Sequence, residues 1–120
     1  MSEIYRFAEM PIDEASIERL RDGAHRAASL LKELANEQRL LIMCRLMEGE
    51  ASVNDLTGHL GLSQSATSQH LARLRASGLV ATRRAAQTIY YRLADGDTVR
   101  VLDTLCQIFA PEGVHPGKTG

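Results

Sequence analysis

Apolar residues recur at helical spacing in the first half of this chain and at alternating spacing further on. Leu20, Ala24, Ala27, Leu31 and Leu34 form one stripe, which predicts a helix from about Ser16 to Ala35. Leu40, Leu41, Met43, Cys44, Leu46 and Met47 make a second helix apolar on most sides. It is expected to run from about Glu37 to Glu48, with Asn36 as N-cap and Gly49 as the break, and to be the central helix. Ser52 opens a short third helix, VNDLTGHL, ending at Gly61. After one turn comes LSQSATSQHLARLRASGLV, residues 62–80, in which Thr67, Leu71 and Leu74 fall at i, i+4 and i+7. Ser63 suits the N-cap of that helix, and Gly78 ends it where a left-handed backbone is cheap. The period then changes to two. Val80–Arg84 and Thr88–Leu93 read as strands, with Ile89, Tyr91 and Leu93 on one face. The hairpin tip falls near Ala85–Gln87 and lacks Gly, which predicts a loop longer than two residues. Asp97 is expected to cap a last helix reaching about Ala110, with Val101, Leu102, Leu105, Ile108 and Phe109 apolar and Pro111 as the stop.

A helix, a turn containing glycine and a second helix are the order of a helix-turn-helix. On a 100° wheel, Ser65, Gln69 and Arg73 point away from the Thr67-Leu71-Leu74 stripe. Short amide and hydroxyl groups at the exposed start of such a helix reach base edges in a major groove. Charge is distributed to match. The net charge is only −1, yet residues 56–94 hold five Arg and none of the 15 Asp and Glu. A basic island in an otherwise acidic chain is an electrostatic footprint for phosphate.

Length and composition narrow the choices. A chain of 120 residues with no Trp must fill its core with aliphatic side chains. One domain is expected over residues 15–110, between a flexible arm at 1–14 and a disordered tail at 111–120 that holds two Pro and three Gly. No segment is long and apolar enough for a membrane span, and the N-terminal residues lack the basic and apolar regions of a signal peptide, so a cytoplasmic protein is expected. Its two Cys are then expected as free or reactive thiols. There is no phosphate loop and no Cys-x-x-Cys, which leaves little for an enzyme.

Helix, helix, helix-turn-helix, hairpin wing and final helix together resemble the ArsR/SmtB family of bacterial repressors across about residues 16–110. ANEQRLLIMCRL, LSQSATSQHLARLRASGLV and RRAAQTIYYRL carry the resemblance. It implies a mainly α (α+β) winged helix-turn-helix fold with flanking N- and C-terminal dimerisation helices. It also implies a homodimer on partly palindromic double-stranded operator DNA, released by an inducer, with no cofactor. On that footing Gln64, Ser65, Ser68 and Gln69 are expected near bases. Arg73, Arg83 and Arg84 are expected on phosphates, the last two from the wing. Arg75 and Arg92 could equally be solvated or paired with acids. His70 borders the buried stripe and is expected to pack and hydrogen-bond rather than to read bases.

The family's metal sensors carry a Cys-x-Cys pair before the turn, or Asp and His pairs on the last helix. SVNDLTGHLG has no Cys, Asp97 and Asp103 share their helix with no His, and His25, His59 and His115 stand apart. No metal site is expected. Cys44, in LLIMCRLMEGE, resembles the first cysteine of the family's persulfide- and redox-responsive branch. The second cysteine of that branch aligns with Ala110, whereas this chain has Cys106, one helical turn and about 6 Å earlier. Two outcomes stay open: the pair meets and acts as a sensing switch, or both are buried small hydrophobes. A metal-responsive or otherwise non-thiol regulator, and a thiol-transfer enzyme, are the alternatives.

Overall fold

The computed structural model describes residues 13–110. The tail and all but the last two residues of the expected arm lie outside them. Within them are helices α1 (Glu14–Leu34), α2 (Glu37–Leu46), α3 (Val53–Leu60), α4 (Gln64–Ala76) and α5 (Gly96–Phe109), and strands β1 (Ala51–Ser52), β2 (Val80–Ala85) and β3 (Thr88–Leu93). The result is a winged helix-turn-helix with a small three-stranded antiparallel sheet in the order β1-β3-β2. Two compact units are distinguished, one ending at Lys32 and the other starting at Glu33.

In the first unit, α1 starts two residues earlier than its apolar stripe suggests. The Asp13 carboxylate accepts the Ser16 N–H at 2.8 Å and so supplies the cap. Ile17, Leu20 and Leu31 of α1 are exposed.

The second unit holds the core. Ile42, Met43, Leu56, Leu71, Leu74 and Leu102 are fully buried, so α2 through α5 each contribute to it. Asn36 caps α2 by accepting the Arg39 N–H at 3.0 Å, as expected. The helix stops at Leu46 rather than Glu48, because Glu48 and Gly49 turn back on Arg45 and Leu46 with i→i+3 bonds of 3.1 Å. Ser52 caps α3 in a reciprocal box with Asp55: the Ser52 hydroxyl accepts the Asp55 N–H at 3.1 Å and the Asp55 carboxylate accepts the Ser52 N–H at 3.0 Å. The Ser52 backbone N–H, and after it the Ser52 side chain, hold the Asp55 carboxyl below its ordinary pKa.

At the far end of α4, Leu79 N–H reaches Leu74 C=O and Gly78 N–H reaches Arg75 C=O, both at 3.0 Å. This is a Schellman closure, and Gly78, at φ 77°, supplies the left-handed residue it requires.

The wing departs from expectation in three ways. β2 and β3 pair from Val80↔Leu93 to Ala85↔Thr88, so the loop is only the two residues Ala86 and Gln87. Ala86 takes φ 56°, the sole positive φ of a non-glycine residue among those described. The tight turn therefore forms without glycine, and the strand pairing on either side carries the strain, about 1–2 kcal/mol for a left-handed L-residue. Ile89 is 40% exposed although it shares the parity of Tyr91 and Leu93, because it lies toward the tip. Third, Ala51 and Ser52 add a strand to β3 through Ala51↔Tyr91 and Ser52↔Tyr90, a segment too short to show a period.

The cap of α5 is Asp95, not Asp97; its carboxylate accepts the Thr98 N–H at 2.7 Å. Asp97 lies one residue inside the helix and faces Arg100 at 3.4 Å. Thr98, Leu102 and Cys106, four residues apart, form the buried side of α5. Ile108 and Phe109 are 64% and 77% exposed. None of the described helices is long and apolar enough to cross a membrane.

Candidate nucleic-acid interface and thiol pair

The start of α4 is organised by its first residues. Ser63 accepts the Ala66 N–H at 3.1 Å, and the Thr67 hydroxyl donates to the Ser63 carbonyl at 2.8 Å. Thr67 is thereby buried without an unpaired polar atom, and with Leu71 and Leu74 it seats the helix. Ser65 and Gln69 lie opposite that stripe and Gln64 and Ser68 on its flank, and all four are exposed. None of the four makes a side-chain hydrogen bond among the described residues. The first turn contains no acid, so the positive end of the helix dipole is left unbalanced on this face.

The arginines are less free than the charge map suggests. Arg73 is half exposed, but its Nε and Nη2 donate to the two Glu33 oxygens at 2.8 and 3.3 Å. Glu33 is nearly buried and also faces Arg39, whose Nε lies 3.7 Å from its carboxylate and donates to its backbone carbonyl at 2.7 Å. On the wing, Arg83 Nε donates to both Glu50 oxygens at 2.8 and 2.9 Å, and its guanidinium stacks 4.7 Å from the Tyr90 ring centre. The Glu33 and Glu50 bonds raise the pKa of Arg73 and of Arg83. Arg84 is exposed near the wing tip, its Nε donating to the Ala86 carbonyl at 3.2 Å. Arg75 and Arg92 are exposed as well. His70 is tied to Gln38 at 3.0 Å and packs as expected.

Separately, α2 and α5 bring Cys44 and Cys106 together with their sulfurs 3.8 Å apart. The one-turn displacement of Cys106 thus leaves it on the buried side of α5, whereas Ala110 is already the extended C-cap beyond the helix. Cys44 is half-buried and Cys106 is buried. Burial, then the neighbouring Cys106, push the Cys44 thiol up to about 12. Cys44 therefore rests as a protonated thiol in contact with Cys106. Proximity favours a bridge; the raised pKa slows the first attack, because the thiolate is the nucleophile. No three His, Cys, Asp or Glu side chains among the described residues stand close enough to share a metal ion.

Known proteins share this fold. Residues 36–82 match the bacterial regulatory protein arsR family. Transcriptional activator HlyU of Vibrio cholerae is 43% identical over 94 residues, 78% of this chain and 87% of its own. The chain belongs to the arsR family. A biofilm growth-associated repressor of Agrobacterium fabrum is 42% identical over 107 residues, 87% of this chain and 92% of its own. The solved structure of reduced HlyU from Vibrio cholerae superposes with a TM-score of 0.74 at 42% identity, covering 78% of this chain and 99% of that one. As an arsR-family member the protein is a DNA-binding transcriptional regulator, and its relatives are regulators rather than enzymes.

Within this arsR-family fold, sequence reasoning misses Glu33 and Glu50, the partners of two expected phosphate-binding arginines. Both lie outside the basic segment, 40 and 33 residues from their arginines. The four-residue spacing of Thr98, Leu102 and Cys106 is the signal in the sequence that Cys106 faces inward.

Proposed function

We propose that the protein is a homodimeric repressor that holds operator DNA while Cys44 and Cys106 are reduced, and leaves it when reactive sulfur or an oxidant bridges them. The observation that carries this reading is the contact of the two sulfurs at 3.8 Å between α2 and α5. Gln64, Ser65, Ser68 and Gln69 read bases in the major groove, one α4 per half-site, with half-sites about 34–36 Å apart. Arg84 neutralises phosphate at the wing. Arg73 and Arg83 enter as paired charges that orient α4 and β2, and contribute less counterion release than a free cation would. The exposed apolar residues of α1 and α5 support pairing with a second copy. Among the relatives one is a repressor, and HlyU, an activator by name, has been solved in a reduced form.

Bridging pulls α5 toward α2. If α5 belongs to the dimer contact, that pull changes the separation of the two α4 helices, and a spacing fixed by DNA turns a small change into weaker affinity. A reporter behind the DNA upstream of the gene tests this in cells. Wild-type protein should repress and release on persulfide exposure, whereas Cys44→Ser should repress and stay. Release that survives in Cys44→Ser would refute the switch.

A further inference from the structure

α2 has two sides. Ile42, Met43 and Leu46 enter the core. Leu41, Cys44, Arg45 and Glu48, spaced three and four apart, lie on the other side and, with His59 and Leu60 from the last turn of α3, line a cavity of about 360 Å³. That volume lies within the range of small-molecule sites, roughly 300–1,000 Å³. Its polar groups are held in place. Arg45 Nε donates to His59 Nδ1 at 3.0 Å, and Nη1 reaches the Gly49 carbonyl at 3.4 Å. Arg45 Nη2 and the Glu48 carboxylate make no hydrogen bond among the described residues. The cavity thus offers a cation, an anion, two leucines and one thiol. Cys106 does not line it and lies behind Cys44.

We propose that this cavity docks the body of a low-molecular-weight persulfide carried on a zwitterionic amino acid or peptide, and presents its outer sulfur to Cys44. Arg45 takes a carboxylate, Glu48 takes the ammonium, and Leu41 and Leu60 cover the carbon chain. Cys44 attacks the outer sulfur of R–S–SH. The new bond joins that sulfur to Cys44 as the S–S bond of the persulfide breaks, and the Cys44 proton leaves with the departing thiolate as RSH. Cys106 then attacks Cys44 Sγ and expels the outer sulfur toward the cavity as H₂S, carrying the Cys106 proton. Two protein thiols are oxidised to a disulfide, and the transferred sulfur is reduced to sulfide. With the Cys44 thiol held protonated, docking supplies what acidity does not: residence of the donor beside it.

The inference rests on the thiol-switch reading only for its consequence at DNA, so docking is measured without DNA. Full-length protein is mixed with glutathione persulfide or with uncharged 2-hydroxyethyl persulfide, and Cys44 modification is followed by mass spectrometry. The rate should saturate with glutathione persulfide alone, and S-methylglutathione, which has no sulfur to transfer, should slow that reaction alone. Arg45→Met should lower the glutathione persulfide rate about tenfold, as expected for one charge-assisted hydrogen bond, and leave the uncharged donor unaffected. Glu48→Gln should lower it less. Should Arg45→Met fail to fold, the competition on wild-type protein decides alone. Unsaturated rates with both donors and no competition would overturn the proposal. Competition together with DNA binding that ignores oxidation would overturn the switch and leave the docking site standing.

Discussion

Oxidation of the wild-type protein to a Cys44–Cys106 disulfide is expected to raise its stability by about 2–4 kcal/mol. The two sulfurs are 62 positions apart in sequence. Cross-linking a loop of that length removes about 14 cal/mol/K of entropy from the unfolded chain, or about 4 kcal/mol at 25 °C. Strain offsets some of that, because sulfurs at 3.8 Å must close to a bond of about 2.05 Å while α2 and α5 stay packed. The assay is urea denaturation at fixed protein concentration, comparing protein oxidised with diamide and the same sample after dithiothreitol. A gain of this size moves the midpoint up by about 1–2 M. Cys106→Ser treated identically should show no shift. An unchanged or lowered midpoint for an oxidised protein verified to carry the intramolecular bond would refute the reasoning, since the fold could then not close the bridge without damage. Oxidation that yields only chain-to-chain cross-links would refute it too.

Other consequences follow from single residues. Ala86→Gly should relieve the positive φ at the wing tip and add about 1 kcal/mol, raising Tm by about 4–8 °C in calorimetry; an unchanged or lower Tm would contradict the strain assigned to Ala86. Cys106→Ser should lower the Cys44 pKa from about 12, because the Cys106 contributions vanish, but leave it above 9.0, because burial is the largest cause and remains. Iodoacetamide rates against pH read this directly, and a Cys44 pKa that stays at its wild-type value would show the pair uncoupled. Arg84→Ala should flatten the plot of log affinity against log salt by about 0.9 for each phosphate that Arg84 neutralises, twice per dimer. Arg73→Gln should flatten it less, because Glu33 already balances that charge; an equal effect would make Arg73 a free phosphate ligand.

Local chemistry makes most of the fold legible. Asn36, Ser52 and Ser63 cap the helices that their side chains mark, and Gly61 and Gly78 end two of them. The hidden features depend on contacts between distant residues. A two-residue turn without glycine forms because six cross-strand pairs on its flank outweigh the strain at Ala86. β1 is too short to show alternation and exists through its pairing with β3. The sequence marks Asp97 as the cap of α5, whereas Asp95 takes the extended backbone of a cap and accepts the Thr98 N–H. On α4, the exposure of Ser65 and Gln69 is readable because helical period places them opposite the buried stripe. Arg73 and Arg83 look like open cations in the sequence, since a partner 40 or 33 residues away leaves no local mark. The sulfur pair depends on how α5 lies against α2, and a one-turn shift in sequence does not determine that.

The central claim is that the contact between Cys44 and Cys106 governs DNA binding. It is tested most directly by fluorescence anisotropy on the DNA upstream of the gene, with one protein sample measured reduced, then persulfide-treated, then reduced again. Tight, salt-dependent binding that disappears on treatment and is restored by reductant is the predicted result. Binding that persists through treatment, with the Cys44–Cys106 bridge confirmed in the same sample, would contradict it and leave the two cysteines as core residues.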